Sequence, residues 1–211
     1  MHMGFSKKQY IEWLRLQVKR SIIDDVGSAL DCFYKSGCGF FAIPRMLFPE
    51  IDGLGAYLTG NNTDRGTAKN IVAYFRDVMS RIDSRYEEYA VFITFIFRHG
   101  LLHQHDPKKF KCGKREFGWI FSVNSGNFPE SISRKNHLIW HGDTLCIDMN
   151  LFYEDVRNSV EEFIRMVEEG KVNFNGIQSV YYAQHRKLLK KNILEKGKKF
   201  VSKKDFQFLK K

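Results

Sequence analysis

The chain reads as mostly α, with a small antiparallel β flap inserted before the penultimate helix. Three observations lead there. Apolar residues recur at helical spacing through most of the sequence, as at Tyr10, Trp13, Leu14, Gln17, Val18 and Ile22. Ser84-Arg85-Tyr86-Glu87 has the form of a capping box, in which Ser and Glu each satisfy an orphan backbone N–H at a helix start. From Phe117 the period changes to two: Phe117, Trp119, Phe121 and Val123 alternate as a strand does.

In chain order, Phe5 to about Tyr34 forms one long helix, stopped by Ser36-Gly37-Cys38-Gly39. A second helical stretch covers Ile43 to Leu58, where Pro49 marks a break and allows two short pieces. Thr59-Gly60-Asn61-Asn62 is a loop. Thr63 or Asp64 then caps a helix to about Ile82, with Ile71, Val72, Phe75, Val78 and Met79 on one face. The helix opened at Ser84 runs to about His103. It is apolar nearly all round from Ala90 to Phe97, the pattern of a central, buried helix, and Pro107 forbids its continuation. His137–His141 and Thr144–Asp148 are two further strands, joined by a tight turn at Gly142-Asp143. The β insertion therefore spans about 117–149. Asn150 caps a helix to about Glu169, with Leu151, Val156, Val160, Phe163, Ile164 and Val167 inward. The segment from Ile177 starts as helix and frays.

At 211 residues, with 43% hydrophobic and 27% charged, the chain is one domain with an appended tail and has ample material for a core. The longest apolar run, Tyr89 to Phe97, is nine residues, well short of the ~20 a membrane span needs. No charged-then-apolar leader opens the sequence, so a cytoplasmic protein is expected, with no membrane partner. Cys32, Cys38, Cys112 and Cys146 form no C-x-x-C pair and fit reduced thiols. Net charge is +10, and its placement is uneven: residues 183–211 carry 11 basic residues against Glu195 and Asp205, so the body, 1–182, is close to neutral. A basic C-terminal tail of this kind attracts polyanions, nucleic acid first, through counterion release. A solvated helical end is the plainer reading of the same residues.

Three of the seven histidines and one arginine close the apolar helix, in Phe97-Arg98-His99-Gly100-Leu101-Leu102-His103-Gln104-His105-Asp106-Pro107. A cation placed there must be paired or face a cleft. At about 100° per residue, His99 and His103 share a face, whereas Arg98 and His103 stand about 140° apart. They serve one site only if a ligand lies in a groove both flank, if the helix bends at Gly100, or if a second copy contributes. Two other readings stay open. The Arg and His can cap the last helical carbonyls. His99 and His103, with His105 or Asp106, have zinc-ligand spacing, although the Glu of H-E-x-x-H is absent and no metal or cofactor is assigned.

The run Arg98-x-x-x-x-His103 at the end of a buried helix resembles the HEPN superfamily of all-α domains, whose signature is an Arg, usually a polar residue after it, then a His four to six positions on. His99 fills the polar slot. Tyr86, Tyr89 and Phe48-Pro49-Glu50-Ile51-Asp52 look like a bacterial branch of that superfamily, over roughly residues 40 to 170. The resemblance implies a HEPN-like helical bundle and a metal-independent endoribonuclease, usually a homodimer with the motif helices facing each other, often in toxin–antitoxin or phage-defence systems. It also implies an RNA substrate and an antitoxin protein as a partner. Other members have lost catalysis and only bind nucleic acid or protein. On this pattern Arg98 binds phosphate, His103 transfers protons, His99 assists, and His105 is the alternative histidine at the longer spacing.

Lys108, Lys109, Lys111, Lys114 and Arg115 follow the motif directly and suit contacts to an RNA backbone, or form a solvated loop. Trp119, Phe121 and Trp140 are expected to pack the sheet onto the helices rather than stack bases. His137 and His141 flank Trp140 with no third ligand and read as surface residues. No phosphate-binding G-x-x-x-x-G-K-[ST] and no G-x-S-x-G is present.

Overall fold

The computed structural model describes residues 6–36, 41–61, 66–95, 109–112, 114–122 and 134–186. Over these the chain is mostly helical, with a small sheet between the fifth and sixth α-helices. No helix among the described residues is long and apolar enough to cross a membrane.

Helix α1 (Lys7–Val18) opens on a capping box the sequence reading passed over. The Ser6 hydroxyl accepts the Gln9 N–H at 3.2 Å, and the Gln9 side chain accepts the Ser6 N–H at 2.9 Å. The helix then widens into a π-helical segment, Lys19–Val26, and continues as α2 (Gly27–Ser36). A single helix was expected across this stretch. Serine hydroxyls bracket the widened turn: Ser21 donates to the Gln17 carbonyl at 2.8 Å, and Ser28 donates to the Asp24 carbonyl. Such bonds four residues back compete with the backbone ladder and loosen it.

Helix α3 (Ala42–Thr59) runs unbroken through Pro49. The proline is on the exposed side, while Ile43, Leu47, Phe48, Ile51 and Leu54 are buried. A mid-helix proline costs ~3 kcal/mol, and each such buried side chain contributes ~1.5–3 kcal/mol, so packing prevails over the break. Helix α4 (Thr67–Asp77) packs along α3. The crossing is so close that a Cβ on Gly55 would stand 2.2 Å from the Asn70 carbonyl oxygen. Helix α4 ends at Asp77 and a 3-10 turn, Met79–Arg81, completes the expected segment. Ile71, Phe75, Val78 and Met79 are fully buried, as their spacing requires.

Helix α5 (Arg85–Ile93) buries Tyr86, Ala90 and Ile93, and Thr94 beyond it, yet leaves Val91 and Phe95 about half exposed. It is an edge helix rather than the central one its composition suggested. It packs on α4 and presents Tyr89 and Phe92 to Trp140 at centroid distances of 6.1 and 4.9 Å.

Four strands follow: β1 (Phe110–Cys112), β2 (Arg115–Ser122), β3 (Ile139–His141) and β4 (Thr144–Asp148), in the order β1-β2-β4-β3. The β3–β4 hairpin forms as expected around Gly142, whose φ of 61° lies in the left-handed region that glycine tolerates. The flap is nevertheless not antiparallel throughout. Strand β2 pairs parallel with β4, from Gly118↔Thr144 to Ser122↔Asp148, while β1 adds a short antiparallel edge. No tight turn links β2 to β4, so nothing imposes antiparallel pairing, and the intervening length permits a parallel approach. Phe121, Leu145 and Ile147 join the helical core, so the sheet is a wall of the domain. Trp119 and Trp140 pack against the same core, as expected of them.

Helix α6 (Met149–Glu168) starts directly from β4. Its N-cap is Asp148, which accepts the N–H groups of Asn150 (2.9 Å) and Leu151 (3.1 Å); Asn150, the expected cap, lies two residues inside. All six of its expected inward residues are buried. Helix α7 (Phe174–Arg186) packs on α3 and crosses the expected start of the tail at 183; residues 187–211 lie outside the described residues. The aromatic centre joins Phe48, Phe75, Tyr86 and Phe152, with Phe75 and Tyr86 stacked at 5.6 Å.

Two glycines of α3 should therefore respond in opposite ways. Gly55→Ala forces α3 and α4 apart and should lower the thermal midpoint by several degrees. At Gly53 a Cβ meets nothing within 4 Å, so Gly53→Ala should raise stability by about 1 kcal/mol through helix propensity. Thermal melts of the two variants check this.

Candidate functional site

The start of α5 is held differently from the capping box its sequence suggests. Ser84 has helical backbone angles and its side chain caps nothing. Asp83 takes over: its Oδ1 accepts the Arg85 N–H at 3.1 Å and the Arg85 Nε–H at 2.9 Å, and its Oδ2 accepts from Arg85 Nη2 at 2.6 Å. The third arm of Arg85, Nη1, donates to the His137 carbonyl at 2.6 Å and so ties α5 to the residues leading into β3.

Arg134, at the 3-10 turn Arg134–Asn136, links this pair to α6. Its Nη1 reaches Asp83 Oδ2 at 3.1 Å and Asp155 Oδ2 at 3.0 Å, and its Nη2 reaches Asp155 Oδ1 at 2.6 Å. Asp155 is completely buried on α6. It also accepts the Tyr86 hydroxyl at 3.0 Å, and the same hydroxyl lies 2.9 Å from His137 Nε2. His137 Nδ1 accepts the Asp148 N–H at 3.2 Å, which leaves the ring proton on Nε2, facing Tyr86 and Asp155. His137 is thus fully buried, not the surface residue expected; His141 is exposed. The ring fills the space beneath the β3–β4 hairpin because both its nitrogens find partners there.

The electrostatics follow from these contacts. Two arginines meet two aspartates, so the cluster balances its charge. The hydrogen-bonded Arg85 guanidinium holds the Asp83 carboxyl at about 2. For Asp155, burial pushes the carboxyl up, but the hydrogen bonds from His137 and Arg134 outweigh it and the net direction is down. Burial drives the Tyr86 hydroxyl well above the ordinary phenol range, and the Asp155 charge adds to this. Tyr86, His137 and Asp155 are sealed from water. What the cluster does is position: it fixes the first turn of α5, the helix that leads toward Arg98.

Arg98, His99, His103, His105 and Lys108 lie outside the described residues. The other expected RNA contacts are at the β1–β2 hairpin. Lys109 pairs with Glu116 at 2.8 Å, and Lys111 approaches the same carboxylate at 3.7 Å. Arg115 pairs with Asp143 and lies 5.1 Å above the Phe117 ring. Lys114 is exposed in the turn. Three of these four cations thus approach carboxylates, Glu116 on the same exposed hairpin and Asp143 in the neighbouring β3–β4 turn. Exposed pairs of this kind are worth ~0–1 kcal/mol, so a phosphate can compete for the cations. Cys32 and Cys146 are free thiols, and no group of metal-ligating side chains occurs among the described residues.

The positioning cluster escaped the sequence reading, although one signal was present. On α6, Asp155 falls in the row Phe152, Asp155, Ser159, Phe163, where a lone carboxylate among inward residues demands a partner. The Tyr74 hydroxyl lies 3.0 Å from Ser159 in the same row.

Comparison of the chain with family models, with curated proteins and with solved structures finds no match.

Two outcomes are expected. Asp155→Ala strands Arg134, Tyr86 and His137, and should cost about 3–5 kcal/mol of unfolding free energy in a urea titration. Asp83 has a folded pKa below its unfolded value of ~3.9, so its stabilising share is complete above that value and is lost as pH falls toward 2. Asp83→Asn should flatten the pH dependence of stability between about 4 and 2, measured by urea midpoints across that range.

Proposed function

We propose that the chain is a metal-independent endoribonuclease of HEPN type. The observation that carries the reading is the Arg98-x4-His103 spacing, with the polar His99 beside the arginine, directly downstream of a helix anchored at its start by Asp83, Arg85 and Arg134. The chemistry suits those residue types. In RNA the 2′-hydroxyl can attack the adjacent phosphorus, forming a new P–O bond while the bond to the 5′-oxygen breaks. His103 takes or gives the proton in this exchange, since a histidine near its unperturbed pKa serves both roles at neutral pH. The Arg98 guanidinium, permanently charged, holds the phosphate oxygens in a two-pronged contact as negative charge accumulates. His99 assists in orienting the phosphate, and His105 is the substitute proton donor. The hairpin carrying Lys109, Lys111, Lys114 and Arg115, together with Lys108, gives a cationic approach for the backbone, and the basic tail adds long-range attraction. A homodimer would bring two Arg98–His103 pairs to one cleft, and an antitoxin protein is the partner such an activity would call for.

Incubation of the protein with structured RNA in EDTA is the decisive assay. Cleavage is expected, and Arg98→Ala and His103→Ala should each reduce it by ~10²–10⁴-fold. RNA binding without cleavage, unaffected by either substitution, would overturn the catalytic reading in favour of a module that only binds.

A further inference from the structure

Between α1 and α3 lies a cavity of about 270 Å³ that the ribonuclease reading does not use. Drug-sized ligands occupy pockets of ~300–1,000 Å³, so this one suits a ligand of only a few heavy atoms. Its lining is specific in kind. Trp13 and Tyr57 form two walls at right angles, with an interplanar angle of 87° and centroids 6.2 Å apart. Both are braced from behind by Tyr10, at 5.7 and 5.6 Å. The one carboxylate is that of Glu50. Leu14, Leu54 and Gln17 complete the lining and carry no charge, and no lysine, arginine or histidine among the described residues lines it.

Three features point to an occupant. Burial, with the added influence of Asp25, raises the Glu50 carboxyl above the ordinary range, and its neighbour Ser21, whose hydroxyl proton goes to the Gln17 carbonyl, is a neutral group. That is the condition of a carboxylate with no counter-cation among the described residues. Ser21 and Asp25 both come from the π-helical segment Lys19–Val26, and such segments are frequent at functional positions. Gly53 lines the cavity in mid-helix, and unlike Gly55 it is not required by any close contact, since a Cβ there meets nothing within 4 Å. Its missing side chain keeps the space open at a cost in helix propensity.

Aromatic walls with one carboxylate attract a cation through ring quadrupole and charge together. The lining's acceptors are the Glu50 carboxylate, the Gln17 amide and the Tyr57 hydroxyl, whereas Trp13, Leu14 and Leu54 offer a primary ammonium none in exchange for its water. A methylated ammonium needs none. We propose that this cavity is a binding site for a small quaternary-ammonium ion of the choline class, with its methyl groups against Trp13 and Tyr57 and its charge facing Glu50. Neither Arg98 nor His103 enters this proposal, so it stands or falls separately from the ribonuclease reading.

The test is calorimetric titration of the full-length chain with choline and with its neutral isostere 3,3-dimethylbutan-1-ol at matched ionic strength. Choline should bind saturably and at least about tenfold more tightly than the isostere. Glu50→Gln should erase that preference, and Gly53→Leu, which fills the cavity, should abolish binding of both; thermal melts identify any variant that has lost its fold. Trp13→Phe, which keeps an aromatic wall of weaker quadrupole, should weaken choline more than the isostere. No saturable choline binding by about 10 mM, equal affinity for choline and the isostere, or undiminished binding in folded Gly53→Leu would each overturn the proposal.

Discussion

The buried carboxylate of Asp155 is the constraint around which the rest of the domain is arranged. An isolated charge in that position would cost several kcal/mol, so its neighbours must approach within hydrogen-bond distance together. Arg134 brings in the residues before β3, Tyr86 brings in α5, and His137 brings in the hairpin and, through its second nitrogen, the junction of β4 with α6. Three separate stretches of chain, α5, residues 134–137 and α6 itself, meet at one oxygen pair. Apolar packing alone would let these pieces slide over one another. The directional bonds restrict the arrangement, because each donor must keep both its distance and its angle to the carboxylate.

That arrangement explains why α5 starts where it does. Asp83 and Arg85 form a two-pronged pair that caps the helix and also delivers Arg85 to the His137 carbonyl, so the sheet and helix share an anchor. The outer part of the cluster, Arg85 and Arg134, reaches solvent, whereas its inner part does not. The polar centre therefore belongs to structure. The cluster holds the first turn of α5 against the sheet and α6.

Much of the helical layout was legible because it depends on local periodicity. Ile71, Phe75, Val78 and Met79, and Val156, Val160, Phe163 and Ile164, occupy the faces their spacing assigns. Features decided by distant partners were not legible. The parallel pairing of β2 with β4 depends on which edge remains open, and no turn residue encodes it. The burial of His137 depends on Tyr86 and Asp155, which lie 51 residues before it and 18 after it. The Ser84–Glu87 signal pointed to the right helix and the wrong cap, because the neighbouring Asp83 offers a stronger acceptor than a serine hydroxyl. Pro49 suggested a break that the buried face of α3 overrides. For the candidate site, the Arg98–His103 spacing came from sequence alone, and the cavity beside Glu50 from structure alone.

The mixed sheet also carries a consequence for the order of assembly. Strands β3 and β4 pair through residues as close as His141 and Thr144, whereas β2 meets β4 through Gly118 and Thr144, 26 positions apart. Closing the longer loop costs roughly 2 kcal/mol more in chain entropy. The entropy difference favours pairing of the hairpin, continuous with α6 through Asp148, ahead of the pairing of β2 with β4. The strand bearing the cationic turn therefore carries the larger closure cost of the two that flank β4, and its lysines share that weaker tether.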